Sequence, residues 1–349
     1  MYKISELYKK VASKENLYLA AQMAGRGKRY TLAAADFSFN LEAEVCRLHQ
    51  ELLGKRWQPG EYRSFTIYEP KERRISAAPF ADRVVHHAVY RLLEPIFEND
   101  FIFDSYACRK GKGTHRAINL AQRFIMKNKF CFHGDIEKYF PSVNHGMLKN
   151  ILRQKIKDGD LLWLLDTIID SAKQIPGSNQ QGMPIGNLTS QLFANIYLNE
   201  LDQYVRNEMG APSYIRYMDD FLIFSDSRSR LSQLKDNLAV FLKEKLLLTL
   251  HRGKSQVYAC CAGIKFLGFK VFPLSRRLTK ENVRRFKKRL RVLCAALSAG
   301  RVALKEIVNS VRSWKAHSLY ANTQNLRQSI ANAILSKERI FAPIGEVIK

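Results

Sequence analysis

The amino-acid sequence predicts an α+β protein in which antiparallel β-hairpins are combined with helices. Three observations support this fold class. Apolar residues recur at helical spacing up to about residue 58. β-prone runs then occur in pairs, between residues 62 and 78 and between residues 214 and 224. From Ser275 onward a helical pattern returns in a strongly basic segment.

The N-terminal part is predicted to be helical and to lead into a basic hairpin. The apolar positions that define the helical face near residue 50 are Leu41, Val45, Leu48, Leu52 and Leu53. The hairpin consists of Arg63 to Tyr68 and Arg73 to Ala77, separated by Glu-Pro-Lys-Glu. A further helix is expected from Asp82 to Phe97, after Pro79.

Two segments in the middle of the chain end in carboxylates. The apolar run from Phe130 to Ile136 is typical of a buried strand, and it delivers Asp135 at its end. The runs Tyr214 to Tyr217 and Phe221 to Phe224 flank Met218-Asp219-Asp220, which predicts an acidic pair at a hairpin tip. We expect carboxylates at such a tip to escape burial.

The helix between these segments is predicted from a break and the spacing that follows it. Gly182-Met183-Pro184-Ile185-Gly186 interrupts regular structure. The apolar face that follows comprises Leu188, Leu192, Phe193, Ile196 and Leu201.

Composition restricts the partner and the compartment. The chain has 349 residues and a formal net charge of +25, which favours binding to a polyanion, with nucleic acid first. Its length suggests about two or three domains. The six cysteines form no Cys-x-x-Cys pair, so a zinc site or disulfide framework is not expected and a reducing cytosol fits. No apolar run approaches the roughly 18 residues of a membrane span.

The three aspartates define the expected chemistry. A strand end beside a hairpin tip can bring Asp135, Asp219 and Asp220 together around hard cations. Two Mg²⁺ ions held in this way lower the pKa of an attacking hydroxyl and stabilise the leaving oxygen in phosphoryl transfer. The alternative is that Asp135 caps a helix and the Asp-Asp pair is a solvated turn.

Several motifs together resemble the reverse transcriptases. They are Tyr217-Met218-Asp219-Asp220, the Asp-x-x-x-Tyr-Phe run at 135–140 and Phe266-Leu267-Gly268-Phe269. Within that family, the segment from Ile185 to Gln191 and the segment from Ser105 to His115 resemble the branch found in diversity-generating retroelements. Most other reverse transcriptases begin the first of these segments with Gln-Gly.

The resemblance implies a right-hand polymerase with fingers, a palm of antiparallel sheet packed on helices, and a helical thumb. We expect residues 1–110 and 143–185 to form the fingers, 111–142 and 186–273 the palm, and 274–349 a basic thumb. It also implies RNA-directed DNA synthesis with two Mg²⁺ ions, for which Mn²⁺ can substitute.

The resemblance also implies roles for individual residues. Asp135, Asp219 and, more weakly, Asp220 would hold the metal ions with the carbonyl of Ile136. Phe140 would lie beneath the sugar of the incoming deoxynucleotide and collide with a 2′-hydroxyl. Residues matched to the triphosphate, the base pair or the leaving group are Lys71, Arg74, Ile185, Gln191 and Lys254. For Phe140, Arg74 and Lys254 the alternatives are a core aromatic, a solvated hairpin charge and a surface lysine.

Basic residues elsewhere are predicted to contact nucleic acid. The loop around Lys110-Gly111-Lys112-Gly113-Thr114 lacks the Gly-Lys-Ser/Thr ending of a nucleotide-binding P-loop, so template contact is expected there. The predicted nucleic-acid-binding residues are Arg109, Lys110, Lys112, Arg284, Arg285, Lys287 and Lys288.

By the same resemblance, the product would be adenine-mutagenised cDNA copied from a template-repeat RNA, which later replaces a variable gene region. Ile185 removes hydrogen-bonding capacity near the nucleotide, which predicts relaxed base selection. The expected partners are template RNA, cDNA, deoxynucleoside triphosphates and a small basic accessory variability protein, in the cytoplasm of a bacterial, archaeal or phage-infected cell. The alternatives are a retron or group II intron-type reverse transcriptase, and a non-catalytic basic RNA-binding protein.

Overall fold

The computed structural model describes residues 6–68, 72–174, 180–335 and 342–348, and the elements below lie within these ranges. The helices are α1 (Leu7–Ala12), α2 (Lys14–Ala24), α3 (Leu32–Phe39), α4 (Leu41–Leu53), α5 (Phe80–Glu98), α6 (Thr114–Lys127), α7 (Tyr139–Ser142), α8 (His145–Lys155), α9 (Gly159–Asp170), α10 (Leu188–Gln203), α11 (Arg228–Lys245), α12 (Lys280–Ser298), α13 (Leu304–Ser318), α14 (Gln324–Leu335) and α15 (Ala342–Ile348). The strands are β1 (Arg63–Ile67), β2 (Arg73–Ala77), β3 (Phe130–Asp135), β4 (Tyr214–Tyr217), β5 (Asp220–Ser225), β6 (Gln256–Ala259), β7 (Ile264–Phe266), β8 (Phe269–Val271) and β9 (Arg276–Leu278). A π-helical turn, Tyr204–Glu208, continues α10.

The mixture of helices and antiparallel sheet confirms the predicted α+β class, which is the class of the right-hand polymerases. The strands form a β1-β2 hairpin, a four-stranded sheet in the order β4-β5-β3-β6, and a three-stranded sheet in the order β7-β8-β9. In the hairpin, Arg74 pairs with Thr66 and Arg73 with Ile67, which confirms the predicted basic hairpin. In the larger sheet, Phe132 of β3 pairs antiparallel with Val257 of β6.

Most residues of the predicted helical faces are buried, Leu41 and Leu188 are half-buried, and Leu53 is an exception. Val45, Leu48 and Leu52 of α4 are buried, whereas Leu53 is 51% exposed. The prediction for Leu53 is wrong because its neighbour Leu52 already faces the core, and consecutive residues of a helix point about 100° apart. On α10 the predicted positions from Leu192 to Leu201 are buried.

The chain divides into two compact units. The first comprises Met1–Lys110, Gly134–Phe221 and Gln233–Ser255, and the second comprises Gly111–His133, Leu222–Ser232 and Gln256–Lys349. This division does not coincide with the expected fingers, palm and thumb boundaries, which stay a prediction.

The second unit contains the basic C-terminal segment. Its helices α12 and α13 pack through stacked rings of Phe286 and Trp314, whose centroids lie 3.8 Å apart. Arg276 belongs to β9 rather than to a helix, and its guanidinium donates to Gln122 of α6 at 2.6 Å. The basic segment is therefore joined to α6 within one unit instead of forming a unit of its own.

The sequence predicts neither a membrane span nor a disulfide framework. In the ranges given above, no helix is long and apolar enough to cross a membrane. All six cysteines are free thiols.

Candidate active site

The first compact unit contains all three predicted aspartates, at the strand ends where they were expected. Asp135 is the last residue of β3, and Asp219 lies in the two-residue turn between β4 and β5. The N–H of Ile136 donates to the carbonyl oxygen of Asp219 at 3.3 Å. Met218, the first residue of the turn, has a left-handed φ of 59°. Such backbone conformations are costly for residues other than glycine and are concentrated at functional sites.

Gly134 allows the two acidic segments to come this close. A Cβ atom at Gly134 would lie 2.3 Å from Cζ of Phe221, the residue after Asp220. The ring of Phe221 therefore covers the backbone immediately before Asp135. Glycine inside a strand often marks such a close approach, and Gly134 is a sequence signal for it.

A buried ion pair contacts the acidic turn. The side chains of Arg216 and Asp202 are both 0% exposed, and their closest nitrogen–oxygen distance is 2.6 Å. Arg216 also donates to the carbonyl of Met218 at 3.3 Å. Burial opposes the charge on Arg216, but the carboxylate of Asp202 outweighs it and raises the pKa of the guanidinium. Sequence reasoning missed this pair, although a charged residue inside an apolar strand is a signal for it.

The acidic turn does not escape burial, which corrects one expectation. Asp219 and Asp220 are half-buried. Burial, followed by the charges of Asp135 and Asp220, raises the pKa of Asp219 to about 6. The turn is covered because it packs onto the end of β3 instead of projecting into solvent. A cation near Asp219 would relieve this unfavourable electrostatics.

Lys254 lies beside Asp135. Its ammonium group forms an ion pair with Oδ2 of Asp135, and the lysine side chain is 50% exposed. Two hydrogen bonds hold the lysine segment in place: His251 N–H donates to the Asp135 carbonyl at 2.8 Å, and Asp135 N–H donates to Oγ of Ser255 at 3.2 Å. Lys254 therefore contacts a predicted metal ligand, Asp135. This contact disfavours the alternative that Lys254 is an ordinary surface lysine.

Backbone hydrogen bonds connect the segments that carry Phe140 and Ile185. The N–H of Met183 donates to the carbonyl of Phe140 at 2.9 Å. The carbonyl of Ile185 in turn accepts from Ser76 of the hairpin at 3.0 Å. Both side chains are half-buried, as is that of Gln191 on α10. The hairpin, α7 and the Ile185 loop are therefore joined by backbone hydrogen bonds.

The adjoining Gly186 is needed for this arrangement. Its φ is +131°, and a Cβ there would lie 3.1 Å from the carbonyl oxygen of Ser76 and 3.3 Å from Ile75. The Ile185 loop can pass the hairpin this closely only with glycine at position 186.

The hairpin carries two adjacent arginines, and the role of Arg74 stays a prediction. Arg73 is the hairpin arginine whose charge lowers the pKa of Asp219. Arg73 and Arg74 are both exposed. Arg73 shares a strand face with Ile75, which approaches Gly186, and Arg74 shares the other face of β2 with Ser76. Lys71 lies outside the described residues.

Arg109 is not available to nucleic acid, which corrects that prediction. Its side chain is 5% exposed and its guanidinium forms an ion pair with Glu98 at 2.7 Å. It also donates to the carbonyls of Ile102 and Ser105, so the donors are used to hold this loop together. Lys110 is 77% exposed and pairs with Glu94 at 3.1 Å, and Lys112 is half-buried.

The basic residues of α12 lie in the second unit. Arg284, Lys287 and Lys288 are exposed, as a nucleic-acid contact requires. Arg285 is half-buried, and its charge contributes to lowering the pKa of His317 on α13. Arg285 therefore faces the neighbouring helix more than the other three.

The donor set of the acidic site fits Mg²⁺ with help from a substrate. Within the described ranges, no three Asp, Glu, His or Cys side chains are grouped to hold a metal ion by themselves. Mg²⁺ is commonly bound by one or two carboxylates together with substrate phosphates, so Asp135 and Asp219 with a triphosphate form a suitable set.

Comparison with known proteins identifies the class. Residues 68–271 match the family model "Reverse transcriptase (RNA-dependent DNA polymerase)", which covers more than half of the chain. The chain belongs to the reverse transcriptase family, and the matched range contains every predicted catalytic and nucleotide-binding residue.

The individual relatives have low sequence identity to this chain. YkfC of Escherichia coli strain K12 is 27% identical over 275 residues, which cover 66% of this chain and 72% of YkfC. The group II intron-encoded protein LtrA of Lactococcus lactis subsp. cremoris is 23% identical over 298 residues, covering 66% of this chain and 50% of LtrA. The chain thus spans about half of LtrA. A truncated apo telomerase from Candida tropicalis is similar over 63% of this chain and 55% of its own, with 14% identity and a TM-score of 0.48.

Proposed function

We propose that this protein is an RNA-directed DNA polymerase whose reaction takes place at Asp135, Asp219 and Asp220. The observation that carries the proposal is the convergence of these carboxylates, which raises the pKa of Asp219 to about 6 through burial and the charges of Asp135 and Asp220. A site that keeps like charges together is suited to divalent cations.

Reverse transcriptases use divalent metal ions, and bound Mg²⁺ would lower the pKa of the primer 3′-hydroxyl and stabilise charge on the phosphates. Asp135 and Asp219 would hold it, with the carbonyl of Ile136 as a further oxygen ligand. The primer 3′-oxygen forms a bond to the α-phosphorus of the deoxynucleoside triphosphate, and the bond to pyrophosphate breaks. Lys254, which contacts Asp135, would donate a proton to the leaving pyrophosphate.

In this proposal, the residues around the three aspartates select the substrate. Phe140 excludes a ribose 2′-hydroxyl, Arg73 with Arg74 neutralises phosphate charge, and Ile185 and Gln191 line the nucleotide. Arginine suits this task because its planar guanidinium binds phosphate oxygens bidentately.

Primer extension tests the proposal directly. We expect the purified chain to extend a DNA primer on an RNA template with deoxynucleotides and Mg²⁺, and to stop when the metal is chelated. If chelation stops extension while the template RNA stays bound, catalysis is separated from simple RNA binding. A chain that binds RNA without extending any primer would support the non-catalytic alternative instead.

We further propose that the chain serves a diversity-generating retroelement and makes adenine-mutagenised cDNA from a template-repeat RNA, in the cytoplasm. The support is the Ile185-Gly186 start of its nucleotide-lining segment and the similarity of the segment from Ser105 to His115 to that branch. A small basic accessory variability protein is the partner this assignment implies.

The second candidate is a group II intron-type or retron reverse transcriptase. It is favoured by the similarity to LtrA, which is a group II intron-encoded protein. Sequencing of cDNA made from a defined RNA template distinguishes the two. Errors concentrated opposite template adenine support the retroelement role, and evenly distributed errors support the intron or retron type.

A further inference from the structure

Two adjoining cavities form a groove on the first compact unit, and none of the three aspartates lines either of them. One cavity of about 650 Å³ lies between the end of α5, α8 and α10. The other, of about 610 Å³, lies between α8, the π-helical turn and α11. Ile151, Gln154 and Glu200 line both cavities. We call the combined surface the α8/α10 groove.

The charge of this groove is opposite to that of the protein. Its charged lining residues are Asp100, Glu200, Glu208, Glu244, Lys155 and Lys245. Carboxylates therefore outnumber cations on this surface, although the whole chain has a net charge of +25. Lys155 is already paired with Asp100, and no ion pair involves Glu200, Glu208 or Glu244 in the part of the chain that the structure describes.

Glu200 is the carboxylate at the centre of the groove. It is half-buried at the place where the two cavities meet, and burial raises its pKa. A partly buried carboxylate without a cation is unfavourable. A cation supplied from outside the chain would offset this cost.

The floor of the groove is apolar. Ile151 is 7% exposed and Ile196 is 2% exposed, so the first cavity has a fixed hydrophobic base. In the second cavity Tyr204 and Phe241 stack with their ring centroids 3.9 Å apart, and Val240 is 54% exposed. The stacked rings join the π-helical turn to α11, which gives the groove a rigid wall. Single π-helical turns occur often at functional sites.

We propose that the α8/α10 groove docks a basic amphipathic helix of a partner protein. Apolar residues of that helix would lie on the floor, and flanking Lys or Arg side chains would pair with Glu200, Glu208 and Glu244. The groove is lined by helices and has no strand edge to which an extended peptide could add, so a helix is the form that fits. Nucleic acid is excluded because its phosphates would meet the carboxylates.

None of the predicted catalytic or nucleotide-binding residues lines either cavity, and the inference does not rest on the proposed function. A second copy of this chain is a poor occupant because both copies carry the same large positive charge. For the same reason, a basic peptide has little non-specific affinity for the rest of the protein, and its binding reports on this groove.

Fluorescence anisotropy with a labelled synthetic peptide tests the proposal. The probe is a helix of about 18 residues with leucine at helical spacing on one face and lysine on its flanks. We expect saturable binding to the full chain. Glu200→Gln should weaken it about tenfold, and the triple change of Glu200, Glu208 and Glu244 to Gln should abolish it.

Two controls make the result specific. Asp236→Asn removes an exposed carboxylate of α11 that does not line either cavity, and it should leave the affinity unchanged. A peptide with glutamate in place of lysine should not bind. Primer extension by Glu200→Gln at the wild-type rate shows that the variant is folded, whereas the binding measurement itself needs no polymerase activity.

Three results would overturn the proposal. They are the absence of saturable binding to the wild-type chain, equal affinities of the wild-type and Glu200→Gln proteins, and self-association of the chain that is lost in Glu200→Gln. The last result would identify a second copy as the occupant.

Discussion

The backbone N–H of Ile136 donates to the carbonyl oxygen of Asp219 at 3.3 Å, which joins the strand carrying one predicted metal ligand to the turn carrying the other. This bond has a functional consequence because the positions of the two carboxylates are coupled through backbone rather than through flexible side chains. Phe221 lies against Gly134, so the two segments are also held by packing.

The first prediction concerns catalysis. Asp135→Ala and Asp219→Ala should each lower Mg²⁺-dependent primer extension by at least about a thousandfold, because each removes an oxygen ligand worth several kcal/mol to the transition state. Both variants should stay folded, since each loses a source of like-charge repulsion. Extension rates and circular dichroism of the same preparations check this, and near-normal extension by either variant would refute the assignment.

The second prediction concerns sugar selection. Phe140→Ala should increase the use of ribonucleotides relative to deoxynucleotides by about tenfold to a hundredfold, because the smaller side chain leaves room for a 2′-hydroxyl. Single-nucleotide extension with matched ribo- and deoxynucleotides measures the ratio. Tyr139 is fully buried and donates to the Ala194 carbonyl, so Tyr139→Phe serves as a neighbouring control that should leave the ratio unchanged. Unchanged discrimination in Phe140→Ala would mean that this ring only packs.

The third prediction concerns fidelity. Ile185→Gln should lower misincorporation opposite template adenine several-fold, because one restored hydrogen bond is worth about 1 kcal/mol. The change should be tolerated structurally, since Ile185 is held by its backbone carbonyl, which accepts from Ser76 at 3.0 Å. Sequencing of cDNA from a defined RNA decides the matter. An unchanged adenine error rate with retained activity would place the cause of infidelity in other residues or in a partner.

The fourth prediction concerns template binding by α12. Replacing Arg284, Lys287 and Lys288 with Gln should weaken duplex binding and lower the slope of log affinity against log salt by up to about 0.9 per lost phosphate contact. The matched control replaces three exposed lysines near the N-terminus, Lys9, Lys10 and Lys14, which changes the net charge equally. Identical slopes for the two variants would show that α12 contributes only overall charge.

The fifth prediction concerns stability and pH at Asp82. This carboxyl group is 5% exposed and accepts a hydrogen bond from Gly60 N–H at 2.9 Å. Burial raises its pKa from about 3.8 to about 6. Its contribution to stability is therefore fully present below about pH 4 and is lost as the pH rises through about 6.

The Asn variant keeps the acceptor for Gly60 but does not ionise. We expect Asp82→Asn to gain about 2 kcal/mol in free energy of unfolding relative to wild type between about pH 4 and pH 8. Urea denaturation of both proteins at the two pH values measures the difference. A constant difference across this range would show that Asp82 does not titrate there.

Local pattern in the sequence was sufficient for several of the elements and for the main acidic positions, but not for β6 to β9. Hydrophobic alternation and helical spacing predicted β3, the β4-β5 hairpin and α10, and strand ends predicted where Asp135 and Asp219 lie. These features depend on residues that are neighbours in the chain, so their periodicity is visible without a fold. Strand alternation was also informative at Arg73 and Arg74, but it does not by itself say which face meets the site.

Tertiary structure decided which side chains are available. Arg109 is a basic residue of the type that contacts template phosphates. In the structure, however, its guanidinium pairs with Glu98 and donates to two backbone carbonyls. A charge inside an apolar strand singles out Arg216 in the sequence, but only the fold shows that Asp202 is its partner. The α8/α10 groove brings together Asp100, Glu200 and Glu244 from three distant parts of the chain. Charge pairing and burial depend on residues that folding brings together, and for that reason the sequence alone determined the strand ends while the fold determined what each charge can bind.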